Sequence, residues 1–71
     1  MNELQKEIIK SIVKISPTHT DYYNNMLATF PINTLCEMIG IDRNRYNYLV
    51  KTNCLIDVLI NLMEKIVIEN E

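Results

Sequence analysis

The stretch Leu35–Leu49, LCEMIGIDRNRYNYL, decides the fold that we expect for this chain, and it contains Gly40, the only glycine of the sequence. Leu35 and Ile39 lie four residues apart before this glycine, a spacing that places two apolar side chains on one face of a helix. Glycine commonly ends a helix because it adopts a left-handed backbone at little cost. We therefore predict a short helix that ends at Gly40.

A second short helix is predicted directly after this turn. Asp42 is a favourable N-cap, and Tyr46, Leu49 and Val50 share the face that we expect to point inward. Cys36 lies four residues before the glycine, where closely crossing helices require a small side chain, and cysteine behaves as a small hydrophobe. Two helices joined by about three residues fit the description of a helix-turn-helix.

The pattern resembles the helix-turn-helix superfamily of DNA-binding proteins over Ile32 to about Lys51, less than a third of the chain. The matching positions are Leu35, Cys36, Ile39, Gly40, Ile41 and Leu49, with Tyr46 in place of the usual valine or isoleucine. The resemblance implies that the second helix of the motif enters the major groove of DNA. Some helix-turn-helix units serve only as protein-binding modules, so this alternative stays open.

Length and composition indicate the fold class. A chain of 71 residues has room for one domain, and a hydrophobic content of 48% with one glycine and two prolines favours compact helices over disorder or a turn-rich sheet. We predict an all-α fold, a small bundle of four to five helices that forms a single domain over residues 1–71. So short a chain is marginally stable alone and gains from an oligomer interface.

Two helices are predicted before the motif. The first covers Glu3–Ile15, with an apolar stripe at Leu4, Ile8, Ile12 and Ile15 that Ile9 and Val13 widen. The segment SPTHTD at 16–21 then breaks the helix, because proline disfavours helical backbone at the preceding residue. The second helix runs from Thr20 or Asp21 to about Thr29, with Tyr23, Met26, Leu27 and Phe30 in the core and Tyr22 outside.

The last segment, from about 54 to 69, is the most hydrophobic part of the chain and is predicted to be a dimerisation helix. One apolar stripe is formed by Leu55, Leu59, Leu62 and Ile66, and a second stripe lies beside it. This arc is wider than a small core is expected to cover, and exposed apolar patches usually mark interfaces. We predict a homodimer through the first stripe; the alternative is that this helix closes the core of a monomer.

The outer face of the second motif helix carries the candidate DNA-binding residues: Arg43, Asn44, Arg45, Asn47, Tyr48 and Lys51. Asparagine can pair with adenine and arginine with guanine, whereas Tyr48 and Lys51 are better placed for phosphates. An ordinary solvated helix face would also be polar. Asparagine is a poor helix former, however, so a surface selected only for helix stability would use other residues.

The charge distribution bears on this prediction. A net charge of −2 counts against nucleic-acid binding, which depends on lysine and arginine. Residues 42–53 nevertheless carry a local charge of +2, and residues 57–71 carry −3. The acidic surplus therefore lies at the C-terminal end, away from the proposed reading face.

Other classes of function lack support in the sequence. Cys36, Cys54 and the single histidine, His19, are too few for a tetrahedral zinc site, and no nucleophile is spaced with a base. The N-terminal segment does not resemble a signal peptide, and no apolar run is long enough for a membrane span. We expect a cytoplasmic protein with reduced, buried thiols, no enzymatic activity and no cofactor.

The sequence therefore supports two hypotheses. The first is a small sequence-specific protein that binds double-stranded DNA as a homodimer, a transcriptional repressor or similar regulator of bacterial, plasmid or phage origin. The alternative is a helical protein-binding module, such as an adaptor or small inhibitor, that does not bind DNA. It would bind a partner protein through the acidic C-terminal helix or through the surface rich in asparagine and tyrosine.

Overall fold

The computed structural model describes residues 2–69, with side chains described as far as Val67. This part of the chain forms five helices and no strand, which confirms the all-α fold. The helices are α1 (Glu3–Ile15), α2 (His19–Thr29), α3 (Ile32–Ile39), α4 (Arg43–Lys51) and α5 (Leu55–Glu69). No helix in the described range is long and apolar enough to cross a membrane.

Local hydrogen bonds fix both ends of α1. The Asn2 side chain accepts from the Gln5 N–H at 2.8 Å, and the Gln5 side chain accepts from the Asn2 N–H at 3.3 Å, which together form a capping box. At the other end the Ser16 hydroxyl donates to the Ile12 carbonyl at 2.6 Å and accepts from the Asn25 amide at 3.0 Å. The connector after α1 is thereby tied to α2.

The turn between α3 and α4 has the predicted backbone. Gly40 has a φ of +78°, and the N–H groups of Gly40 and Ile41 both donate to the Cys36 carbonyl, at 2.8 and 3.0 Å. Asp42 then caps α4, because its carboxylate accepts from the Arg45 N–H at 2.7 Å. Three residues therefore separate the two helices, as predicted.

The sequence places the start of α3 only within 31–34, because Thr34 with Glu37 fits a capping box and Pro31 fits an earlier start. The helix begins at Ile32, with Pro31 as its N-cap and no side-chain capping bond. Proline at this boundary costs no helical hydrogen bond, because the first N–H groups of a helix have no partner within it. Thr34 therefore lies inside the first turn of α3.

Helix α5 is the centre of the bundle, and it packs against each of the other four helices. Leu55, Leu59 and Ile66 are buried in the core of the single chain, and Leu62 is half-buried against it. Most of the stripe predicted to form a dimer interface therefore lies in the core of the single chain, because α5 is covered by α1 to α4. This burial favours the alternative that α5 closes the core.

Helix α2 buries a wider arc than its spacing predicts. Tyr22, expected outside, is 1% exposed, and its hydroxyl donates to the Leu59 carbonyl at 2.8 Å. Met26 and Phe30 are buried as predicted, whereas Tyr23 and Leu27 are half-buried. The cause is that α2 contacts both α1 and α5, so side chains on two sides of the helix enter the core.

Helix α1 packs through the middle of the predicted stripe, while the two ends of the stripe are exposed. Ile9 and Ile12 are its buried residues, whereas Leu4 is 69% exposed and Ile15 is 70% exposed. Leu4 and Ile15 lie in the first and last turns, beyond the part of α1 that its neighbours cover. Two apolar side chains of α1 therefore lie on the surface of the single chain.

Replacing Gly40 by alanine is expected to lower the free energy of unfolding by about 1 kcal/mol, since a left-handed backbone is unfavourable for residues with a Cβ. Beyond the two neighbouring residues an added Cβ would meet no atom within 4 Å, so the cost comes from local backbone strain and not from a clash with another part of the fold. For a domain of this size the melting temperature should fall by about 4–8 °C per kcal/mol, measured by circular dichroism. Gly40→Asn is the control and should lose less, because asparagine tolerates this conformation. Equal stability of Gly40→Ala and the wild type would contradict the prediction.

Candidate nucleic-acid interface

Helix α4 is held at both ends by local structure. Asp42 caps its start, and at its end Asn53 adopts a left-handed backbone with a φ of 60°. The Asn53 N–H donates to the Val50 carbonyl at 3.2 Å, and the Cys54 N–H donates to the Leu49 carbonyl at 2.9 Å. This is the hydrogen-bond pattern of a Schellman motif, with asparagine in place of glycine.

Two side chains of α4 enter the core, namely Tyr46 and Leu49. The pKa of Tyr46 is raised, mainly by burial and further by Tyr23 and Cys36, while the Arg43 charge opposes the shift. Tyr46 therefore stays neutral at physiological pH and acts as a structural anchor. The prediction that Tyr46 and Leu49 face inward is therefore confirmed.

Val50, the third residue predicted to face inward, is 45% exposed. It lies at the edge of a groove where the first turns of α2 and α5 approach the last turn of α4. The groove has a volume of about 270 Å³ and is lined by Thr20, Tyr23, Asn24, Leu49, Val50, Asn53, Leu55 and Ile56. The sequence gives no signal for this groove, because its walls come from three separate helices.

The six predicted DNA-binding side chains are all exposed: Arg43, Asn44, Arg45, Asn47, Tyr48 and Lys51. A helix advances by 100° per residue, so Asn44 and Lys51 lie near the middle of the exposed face. Asn47 with Arg43 lies on one side of this middle line, and Tyr48 with Arg45 lies on the other. One helix of nine residues thus presents three cations, two amides and a phenol on a continuous surface.

The cations of α4 make no ion pair with any carboxylate that the structure describes. Within the described side chains, ion pairs join only Lys6 to Glu3 at 3.7 Å and Lys10 to Glu7 at 3.5 Å, both on α1. Arg43, Arg45 and Lys51 make none. The positive charge of α4 is therefore available to an external anion, whereas much of that on α1 is already balanced.

Arg45 makes one further contact on the surface. Its guanidinium carbon lies 5.5 Å from the centre of the Tyr48 ring, within the range of a cation–π interaction. Tyr48 is itself 56% exposed. The two side chains thus form a pair on one side of the α4 face, with both polar ends accessible to solvent.

The thiols lie in different environments. Cys36 is buried where α3 approaches the turn, and its Sγ lies 4.0 Å from the Asp42 carbonyl oxygen. Cys54 is free and exposed, which corrects the expectation that both thiols are buried. No group of three metal-ligating side chains gathers anywhere in the described part of the chain.

Comparison with known proteins finds no relative that would indicate a function. The chain matches no protein-family model, no curated protein and no solved structure. The candidate interface consequently rests on the residues and geometry of α4 alone.

Proposed function

We propose that this protein is a small sequence-specific DNA-binding protein, a dimeric transcriptional repressor or similar regulator, that reads the major groove with α4. Asn44 and Asn47 would contact base edges, with Arg43 at the N-terminal side of the same face. Lys51, Tyr48 and Arg45 would contact the phosphate backbone. The resemblance of Ile32 to Lys51 to helix-turn-helix units supports the same assignment.

The observation that carries this proposal is the set of three unpaired cations beside two exposed asparagines on α4. Unpaired lysine and arginine side chains release counterions from DNA when they contact phosphates. Asparagine amides can donate to and accept from adenine in the major groove. An ordinary solvated helix face would be expected to balance most of its charges internally, as α1 does for Lys6 and Lys10.

The proposed dimer requires a surface other than the buried stripe of α5. Exposed apolar side chains remain at Leu4 and Ile15 on α1 and at Val67 on α5. A symmetric pair of α4 helices would bind two half-sites about one helical turn apart, which is about 34–36 Å. A palindromic binding site is the expected consequence.

A protein-binding module that does not bind DNA is the second candidate. The observation in its favour is the exposure of Leu4 and Ile15 in a protein of net charge −2. Apolar side chains of this kind, at two ends of one helix, could contact a partner protein. This candidate predicts a stable complex with such a partner and no selectable DNA sequence.

Selection of bound duplexes from a random DNA pool tests the proposal directly. At about 0.15 M salt, attraction that is independent of sequence is already much reduced. The proposal predicts recovery of a palindromic consensus whose half-site spacing reports the geometry of the dimer. Failure of folded protein to enrich any sequence would overturn it and favour the protein-binding module.

The double variant Arg43→Ala with Asn47→Ala should weaken binding to the selected duplex by about 30-fold or more, because each base contact contributes about 1–3 kcal/mol. Both side chains are exposed, so the variant should remain folded. Lys14→Ala is the matched control, because it removes an exposed cation from α1 and leaves α4 unchanged. Titration by fluorescence anisotropy measures the three affinities. Equal affinity of the double variant and the wild type would remove α4 as the reading face.

A further inference from the structure

We propose that Tyr48 is a positioning residue that holds the Arg45 guanidinium for contact with a phosphate of bound duplex DNA. This inference rests on the proposed function and adds to it a coupling between two side chains. The contact that carries it is the placement of the guanidinium 5.5 Å from the centre of the Tyr48 ring.

No carboxylate that the structure describes competes with the Tyr48 ring for the Arg45 guanidinium. Asp42 lies three residues before Arg45 and is its nearest carboxylate in the sequence. The Asp42 carboxylate is engaged by the Arg45 backbone N–H at 2.7 Å, and it makes no ion pair with the guanidinium. Contact with the ring restricts the arginine side chain without neutralising it, so the full positive charge remains available.

The position of the pair on α4 favours phosphate over a base. Asn44 and Lys51 lie at the middle of the exposed face, and Arg45 lies about 100° away from Asn44, at the margin next to the buried side. When a helix enters the major groove, the middle of its face contacts base edges near its N-terminal end, whereas side chains at its margins and near its C-terminal end lie beside phosphates. The planar guanidinium and the Tyr48 hydroxyl then supply donors to the same phosphate.

The pairing can be tested in the free protein. Nuclear magnetic resonance should show the Arg45 side-chain protons shifted upfield by the Tyr48 ring. The shift should persist in Tyr48→Phe, which keeps the ring, and disappear in Tyr48→Leu, which removes it. Circular dichroism checks that each variant is folded, as expected for substitutions of a side chain that is 56% exposed. An unchanged Arg45 spectrum in Tyr48→Leu would overturn the pairing whether or not the protein binds DNA.

A double-mutant cycle on the selected duplex tests the role of the pair. Arg45→Ala and Tyr48→Leu should each weaken binding, and the double variant should be weaker by less than the product of the two effects, with a coupling of about two-fold to five-fold. Tyr48→Phe should retain this coupling. Independent effects of Arg45→Ala and Tyr48→Leu would overturn the inference while leaving the proposed function intact.

Substitution of single phosphates by uncharged methylphosphonates identifies the group that Arg45 contacts. One substitution should weaken the wild type and Lys14→Ala, and its effect on Arg45→Ala should be clearly smaller, because only the Tyr48 hydroxyl still donates to that phosphate. Loss of selectivity for one base pair in Arg45→Ala, with no sensitive phosphate, would overturn the phosphate assignment. Failure of the wild type to bind any duplex would remove the proposed function and this inference together.

Discussion

Replacing Leu59 by alanine is expected to lower the free energy of unfolding by about 2–5 kcal/mol. Leu59 is 0% exposed and lies on α5, which contacts every other helix. Its removal takes apolar atoms out of the centre of the bundle and leaves a cavity that surrounding side chains fill only in part. Because domains have about 0.05–0.15 kcal/mol of stability per residue, the loss is a large share of the total for 71 residues.

Leu62→Ala is the matched control for Leu59→Ala. It makes the same chemical change on the same helix, at a half-buried position, and should therefore cost less. Urea denaturation followed by circular dichroism measures both values. A larger loss for Leu62→Ala than for Leu59→Ala would contradict the central position of the Leu59 side chain. A small loss for Leu59→Ala together with dissociation of a dimer would instead restore the interface indicated by the sequence.

Replacing Tyr22 by alanine should lower the free energy of unfolding by about 3–5 kcal/mol, because it empties the space of a large buried ring. The variant Tyr22→Phe measures the contribution of the hydroxyl separately from that of the ring. It removes the bond to the Leu59 carbonyl and should cost about 1 kcal/mol, since that carbonyl lies within a helix and can accept an intrahelical bond. Thermal denaturation measures both variants. A loss in Tyr22→Phe as large as in Tyr22→Ala would show that the ring contributes little.

We expect Tyr22 to make the free energy of unfolding depend on pH. Burial raises the pKa of Tyr22 above its ordinary value of 10.0. The folded state therefore holds the Tyr22 hydroxyl proton more tightly than the unfolded state. The contribution of this group to the free energy of unfolding is fully present below pH 10 and is lost as the pH rises above 10. Tyr22→Phe should reduce the decline, leaving mainly the part due to Tyr46, whose pKa is also raised. An identical alkaline decline in Tyr22→Phe and the wild type would contradict this assignment.

The candidate site was largely predictable from the sequence because it lies on one short helix. Asp42 and the 100° step between residues are enough to place Asn44, Asn47 and Lys51 on the exposed face. The unpaired state of the α4 cations and the contact between Arg45 and Tyr48 required the structure, since they depend on side-chain positions. The groove beside Val50 was not predictable, because it forms between helices that are distant in the sequence.

The core was predicted less well than the helices. The stripe chosen on α1 includes Leu4 and Ile15, both exposed, and the stripe assigned to a dimer on α5 is buried within the chain. Apolar spacing identifies a helix that has an inner side, but several adjacent stripes can satisfy the same spacing. Which stripe is buried depends on the number and direction of the neighbouring helices.

The sequence by itself determined the elements whose causes are local: the caps at Asn2 and Asp42, the left-handed turn at Gly40, and the break after Ile15. Each of these depends on bonds between residues no more than five positions apart, so the local chain contains the necessary information. Only the tertiary structure decided that α5 is central and that Tyr22 is buried. The hydrogen bond from Tyr22 to Leu59 spans 37 positions, and no local spacing specifies such a contact, because it exists only after the helices have packed.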